Sequence, residues 1–166
     1  MIPQDTSRLS FRCFKSGDLD QVLLLNRDPK VMTYFPGMKT IDEIKLDFKR
    51  YLEYHQKYPG YGYWYTSLKD QNVFVGFFVV KILAETGETE IGYRLLPEYW
   101  GRGLATEGAK GMVDYVKNTL KISRVVGVVN PENLASRKVL ENAGLLFERY
   151  GRFYQVHCAY YGKEIL

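Results

Sequence analysis

Residues 9–14, LSFRCF, alternate apolar and polar, the period of a strand with one buried face. The period then lengthens. From Asp18 a helical spacing runs through Val22 and Leu25, with a broken continuation over residues 28–35. A second helix is better marked, because Thr40 and Glu43 make a capping-box pair. Ile41, Ile44, Phe48, Leu52 and His55 fall on one stripe behind it. After that the strand period returns. YGYWYTSL (61–68), the turn KDQN and VFVGFFVVKIL (73–83) predict an antiparallel hairpin. TGE at 86–88 is a second turn, TEIGYRLL (89–96) a further strand, and Pro97 its stop.

The second half alternates helix and strand. Ala105, Ala109, Met112, Val113, Val116 and Leu120 form the buried stripe of a helix opening after YWGRG. RVVGVV (124–129) is nearly continuously apolar, as a covered central strand should be. The next helix is bracketed by Asn130 as N-cap, Pro131 at the first helical position and Gly144 as its stop. LFERYGRF and YQVHCAYYG then close the chain as two strands around a turn at Gly151. The order β-α-α-β-β-β-α-β-α-β-β predicts an α/β (α+β) fold, a mixed sheet with helices on its faces. It spans residues 1–166 as one domain, long enough to bury its own core.

Composition narrows the functional classes. The net charge of +4 comes without any lysine/arginine block, which argues against a nucleic-acid partner. Cys13 and Cys158 are far apart and fit no metal spacing, and read as reduced, buried thiols. His55 and His157 are equally isolated, so neither a metal site nor a Cys/His nucleophile pair is expected. No signal peptide is seen, and the longest apolar stretch, residues 73–80, is too short to span a membrane. These features predict a cytoplasmic protein.

Candidate chemistry concentrates at YWGRGLATEG (99–108), where a glycine turn opens a helix. Such a turn leaves backbone N–H groups without acceptors at the positive end of the helix dipole, a ready anion site. The Walker spacing is absent, and a dinucleotide fingerprint fails because its third glycine position holds Thr106. A pyrophosphate cradle for coenzyme A explains more, since Gly101 and Gly103 admit close approach. Ala105, Gly108 and Ala109 also keep the helix face thin.

IGYRLLPEYWGRGLATEG resembles the acetyl-CoA motif of the GNAT superfamily of N-acetyltransferases, in its RimJ/RimL-like branch. Trp100 stands where the wider family has glutamine or arginine, with Gly103 and Ala105 at the later motif positions. NPENLASRKVLENAGL resembles the strand–helix segment of the same branch. The resemblance implies a mostly antiparallel mixed sheet with helices on both faces and two splayed central parallel strands, at 89–96 and 124–129. It implies acetyl-CoA as cosubstrate, no metal, and a primary amine as acceptor, on a protein N-terminus or a small molecule, in a monomer or homodimer. Gly101, Arg102, Gly103, Leu104, Ala105 and Thr106 would hold the pyrophosphate. Asn133, Ser136 and Lys138 would contact the cofactor further along, Asn133 doing so rather than merely stabilising its helix. The backbone N–H near Leu95 would polarise the thioester carbonyl.

Acyl transfer to an amine also needs a base, since an alkyl ammonium with a pKa of about 10.4 has no lone pair to attack with. Glu90 matches a position where family members keep a glutamate base. Leu140 departs from the family's tyrosine, which protonates the leaving thiolate, so that role passes to Ser136, another tyrosine or water. A non-catalytic acyl-CoA-binding module on the same fold is the alternative. A carboxylate in a polar cleft favours the enzyme; an apolar dead end favours the module. Tyr61, Tyr63 and Tyr65 alternate on one strand face, which either lines an acceptor cleft or is simply aromatic core.

Overall fold

The computed structural model describes residues 1–166. Seven strands form one sheet: β1 (Leu9–Cys13), β2 (Gly62–Leu68), β3 (Val73–Ile82), β4 (Thr89–Leu95), β5 (Arg124–Val129), β6 (Leu146–Phe153) and β7 (Val156–Glu164). Their order across the sheet is β1-β2-β3-β4-β5-β7-β6. Every pairing is antiparallel except β4–β5. That central parallel pair registers at a single point, Glu90 opposite Val126, so the two strands diverge beyond it.

Four helices cover the sheet: α1 (Leu19–Asn26), α2 (Ile41–Lys57), α3 (Leu104–Tyr115) and α4 (Leu134–Asn142). Alternation of side chains across the strands builds two cores, one on each face. Phe78, Ile91 and Leu95 pack with Met112, Val113 and Leu140 of α3 and α4. Phe77 and Val79 pack with Leu25 of α1 and Ile44, Phe48 and Tyr51 of α2. Thus even-numbered residues of β4 face α1 and α2, and odd-numbered ones face α3 and α4.

The Thr40/Glu43 capping box forms as expected, with Glu43 N–H donating to Thr40 Oγ1 at 3.2 Å. The buried stripe of α2 is Ile44, Asp47, Phe48 and Tyr51. Ile41 is exposed and Leu52 only half-buried, because the opposing sheet face is aromatic and takes Tyr51 against Tyr63, their rings stacked at 4.2 Å. Two further expectations fail. Asn130 does not cap α4: its side chain accepts from Glu132 N–H at 2.9 Å in a local turn, and the helix starts after Asn133. The last hairpin turns at Tyr154–Gln155, both with positive φ (51° and 63°), while Gly151 lies inside β6 opposite Cys158. Cys158 is buried and Cys13 half-buried, and neither is in a disulfide.

Candidate active site

The strand-to-helix turn after β4 is tied down from both sides. Trp100 Nε1 donates to the Leu95 carbonyl at 2.8 Å, folding the chain back on the strand end. Arg8 donates to the Arg102 carbonyl at 2.9 Å and pairs with Glu107 at 2.6 Å. Glu107 also accepts from the Thr6 hydroxyl at 2.6 Å. Burial raises the Glu107 pKa, but these donors outweigh it and hold the carboxyl below its ordinary range. Nothing local in the sequence marks Thr6 and Arg8 as anchors, since they lie about a hundred residues from their partner.

Gly101 and Gly103 have φ of 68° and 77°, the left-handed region where a side chain is strained. The N–H groups of Leu104, Ala105 and Thr106 find no acceptor in the protein, and Gly103 supplies no side-chain cap. A Cβ on Gly101 would meet nothing within 4 Å. Free donors, open space and the helix dipole fit a pyrophosphate here. Gly103→Val is expected to weaken coenzyme A binding at least about tenfold, the scale of losing one or more charge-assisted hydrogen bonds. Gly103→Asn, which tolerates the left-handed region, separates strain from occlusion. Titration calorimetry of both folded variants checks this; unchanged affinity for each removes the phosphate from the turn.

The seam between β4 and β5 continues the site. Leu83 N–H bonds the Glu88 carbonyl and Leu96 N–H the Val75 carbonyl, so even-numbered residues of β4 hydrogen-bond to β3. The N–H groups of Tyr93 and Leu95 therefore face the seam, beyond its single rung. Ile91, Gly92, Tyr93, Ala109, Met112 and Leu140 line a narrow cleft on the α3/α4 side. Leu140 packs on Gly127 of β5, where a Cβ would stand 2.8 Å from its side chain.

The α4 residues divide. Asn133 is the N-cap, accepting from Ser136 N–H at 3.1 Å. It therefore stabilises the helix, by about 1 kcal/mol for such a cap, and replacing it should cost stability as well as any cofactor contact. The Ser136 hydroxyl is 2.9 Å from the Tyr93 hydroxyl across the cleft. Burial, opposed by Ser136, raises the Tyr93 pKa, so the phenol holds its proton. Lys138 lies on the solvent side of α4, 3.6 Å from Glu141, and does not join this group.

Glu90 is 4% exposed, on the opposite face of β4 from Tyr93. Lys81 Nζ lies 3.6 Å from its carboxylate and the Tyr154 hydroxyl donates to it. Burial pushes the Glu90 pKa up, and Lys81 and Tyr154 only partly oppose it. Tyr154, on the hairpin whose turn the sequence misplaces, is raised by burial and by the Glu90 charge. Tyr63 stands between Glu90 and Arg94; burial first, then Tyr54 and Glu90, push its pKa up to about 12. Of the tyrosine trio, Tyr63 and Tyr65 belong to the α1/α2 face, and Tyr61 packs with the other core, its hydroxyl 2.9 Å from Thr89. No group of three or more His, Cys, Asp or Glu side chains suits a metal ion, and no helix is long and apolar enough to cross a membrane.

Residues 8–146 match the family model described as acetyltransferase (GNAT) domain. Among curated relatives, the uncharacterized protein YkkB of Bacillus subtilis is 29% identical over 165 residues, 96% of this chain and 94% of that protein. The FsC-acetyl coenzyme A-N(2)-transacetylase of Aspergillus fumigatus is 33% identical over 131 residues, 73% of this chain and 55% of that protein. The crystal structure of a GNAT-family acetyltransferase from Bacillus anthracis aligns with a TM-score of 0.81 at 25% identity, covering 99% and 98% of the two chains. RimL, a ribosomal L7/L12 alpha-N-protein acetyltransferase solved with coenzyme A, aligns with a TM-score of 0.80 at 17% identity, covering 99% and 98%. With a family model covering most of its length and a splayed sheet of this topology, the chain belongs to the GNAT family and is an acetyl-CoA-dependent acetyltransferase.

Proposed function

We propose that residues 1–166 form one acetyltransferase domain that moves the acetyl group of acetyl-CoA onto a primary amine, on a protein N-terminus or a small molecule. The observation that carries this reading is Glu90, a carboxyl buried beside the seam and hydrogen-bonded to a phenol. An apolar dead end, as in a binding-only module, has no use for a buried carboxyl. The incoming ammonium gives its proton to Glu90, directly or through water. The N–H groups of Tyr93 and Leu95 supply donors where negative charge develops on the carbonyl oxygen. Residues Gly101 to Thr106 hold the pyrophosphate, and Asn133 and Ser136 the pantetheine arm, with Lys138 at the solvent rim. The Trp100 indole on the Leu95 carbonyl gives the tryptophan of the RimJ/RimL-like branch a positioning role, and the likeness of fold to RimL supports that branch. Two free thiols support action in the cytoplasm.

The leaving thiolate takes its proton from the Tyr93–Ser136 pair, which stands in for the tyrosine absent at Leu140. Tyr93→Phe is expected to slow turnover by about 10- to 100-fold, the low end for a general acid, because a thiolate already leaves readily. The deficit should shrink above a pH of about 8.5, the thiol's own range. A pH–rate profile identical to wild type assigns the proton to water. The parent reading is tested by screening an amine panel for released coenzyme A. Turnover of at least one amine is expected, and coenzyme A binding without any turnover makes the chain a binding module.

A further inference from the structure

Arg94 lies four residues along β4 from Glu90, on the same α1/α2 face, with only Gly92 between them. About 13 Å of strand separates the two positions. Nothing around Arg94 neutralises it. Nη1 donates to Asn26 Oδ1, and the guanidinium sits 4.2 Å over the Phe35 ring and 5.6 Å from that of Phe77. Nε is fully buried without a partner, and so is Nδ2 of Asn26. Tyr51 and Tyr63 are the polar groups whose fields favour its charge, and burial outweighs them to lower its pKa. Of the buried carboxylates, Asp47 of α2 is already taken by Lys39 and Arg50, and Glu90 faces Lys81 and Tyr154.

A guanidinium in such a place is costly unless a counter-charge completes it. Arg94 Nε and the neighbouring Asn26 Nδ2 both lack acceptors, so no group of the protein supplies that counter-charge. The guanidinium is the accessible part of this pair: Arg94 is only half-buried as a residue, and Phe35, whose ring covers it, lies with Tyr34 in an exposed rim, while Asn26 behind it is 0% exposed. Asn130 Nδ2 donates to the Tyr34 carbonyl at 3.4 Å, bringing that rim to the end of β5 and hence to the open end of the seam.

We propose that Arg94, oriented by Asn26, forms a subsite for an acidic group on the acceptor, so that the enzyme acts on small amines that also carry a carboxylate or phosphate. This rests on the acetyl-transfer reading above. The aromatic walls of Phe35, Tyr63 and Phe77 take the carbon body of such a molecule, while a second cation would be repelled by Arg94.

The test compares matched acceptors with the wild-type protein: free amino acids, their carboxamides, the corresponding decarboxylated amines, O-phosphoethanolamine against ethanolamine, and spermidine. The acid-bearing member of at least one matched set should be favoured by about 10- to 100-fold in kcat/KM, the scale of hydrogen bonds to a charged group. Whether amino acids or O-phosphoethanolamine lead decides between carboxylate and phosphate. Arg94→Gln should collapse the preference mainly through KM, and Arg94→Lys should restore part of it. Because the comparison is made on wild type, it stands even where a variant misfolds. Equal or better use of neutral amines or spermidine overturns the subsite and leaves acetyl transfer intact. Silence across every acceptor overturns the subsite and confines acetyl transfer to protein N-termini.

Discussion

Glu90→Gln is expected to lower turnover by about 10²- to 10⁴-fold near neutral pH, the usual contribution of a general base. Glutamine keeps the shape of the side chain, and Glu90 lies on the face of β4 away from the α3/α4 cleft, so acetyl-CoA affinity should not change. The pH profile carries the argument. Burial raises the Glu90 pKa, so the acidic limb of the wild-type profile should lie above the ordinary carboxylate range. Below that limb both proteins lack a base. Above it the variant is slower, and the gap narrows as the amine approaches its own pKa of about 10.4. The deficit is therefore widest just above the raised pKa of Glu90.

Stability should move the other way. The native pKa of Glu90 lies above the unfolded value, so its contribution to stability is complete below the unfolded pKa. That contribution is lost as pH climbs through the native one. Replacing the carboxyl removes this pH-dependent loss but leaves Lys81 without its counter-charge, so the melting temperature of Glu90→Gln should gain on that of wild type as pH rises. A variant that is slower and whose relative stability improves with rising pH is the signature of a buried base. Full activity across the pH range assigns deprotonation elsewhere.

Gly108→Ala carries the second large effect, on folding. Helix α3 approaches the sheet so closely that a Cβ at Gly108 would stand 2.0 Å from the ring of Phe78, which is 0% exposed. The ring is fully buried and packed against Phe11 and Tyr93, so either it repacks with them or the helix moves. Overpacking of this kind costs about 1–3 kcal/mol, which in a chain of this size lowers Tm by about 2–4 °C for each kcal/mol. Since Leu104, one turn earlier, opens α3 within the anion turn, coenzyme A affinity should fall as well. Phe78→Leu should recover both in the double variant, with a coupling free energy measurable by a thermal double-mutant cycle. Additive losses would mean that the two residues do not share the space.

Much of the fold was legible because its signals are local. The capping box at Thr40 and Glu43, the change of period at residue 61 and the glycine turn at 101–103 depend on neighbours in sequence, and each forms where expected. What misled was competition among equivalent local signals. Asn130 and Asn133 are both good caps, and the one three residues later wins because the earlier side chain is engaged with Glu132. Gly151 looks like the hairpin turn, yet Tyr154 and Gln155 accept positive φ, with Tyr154 N–H held by Glu85 at 2.5 Å and its hydroxyl on Glu90. Those partners lie about seventy residues away. The same holds at the site: Glu90 is signalled by its family-matched position at the start of its strand, but Tyr154 beside it, the Tyr93–Ser136 pair and the isolation of Arg94 arise only when distant strands meet.

The single rung between β4 and β5 puts the weakest line of the sheet at its centre rather than at its edges. The molecule is in effect two half-sheets, one of four strands and one of three, joined along one side by helices. Amides of Tyr93 and Leu95 that face the opening lack the strand partner that slows solvent exchange elsewhere. A ligand lying along that opening acts as a missing strand, so occupancy and cohesion become one quantity. A ligand at a hundred times its Kd adds about 2.7 kcal/mol to the folded state. Protection of those amides against deuterium would then track the concentration of acetyl-CoA, and the protein's lifetime would follow the supply of its own cosubstrate.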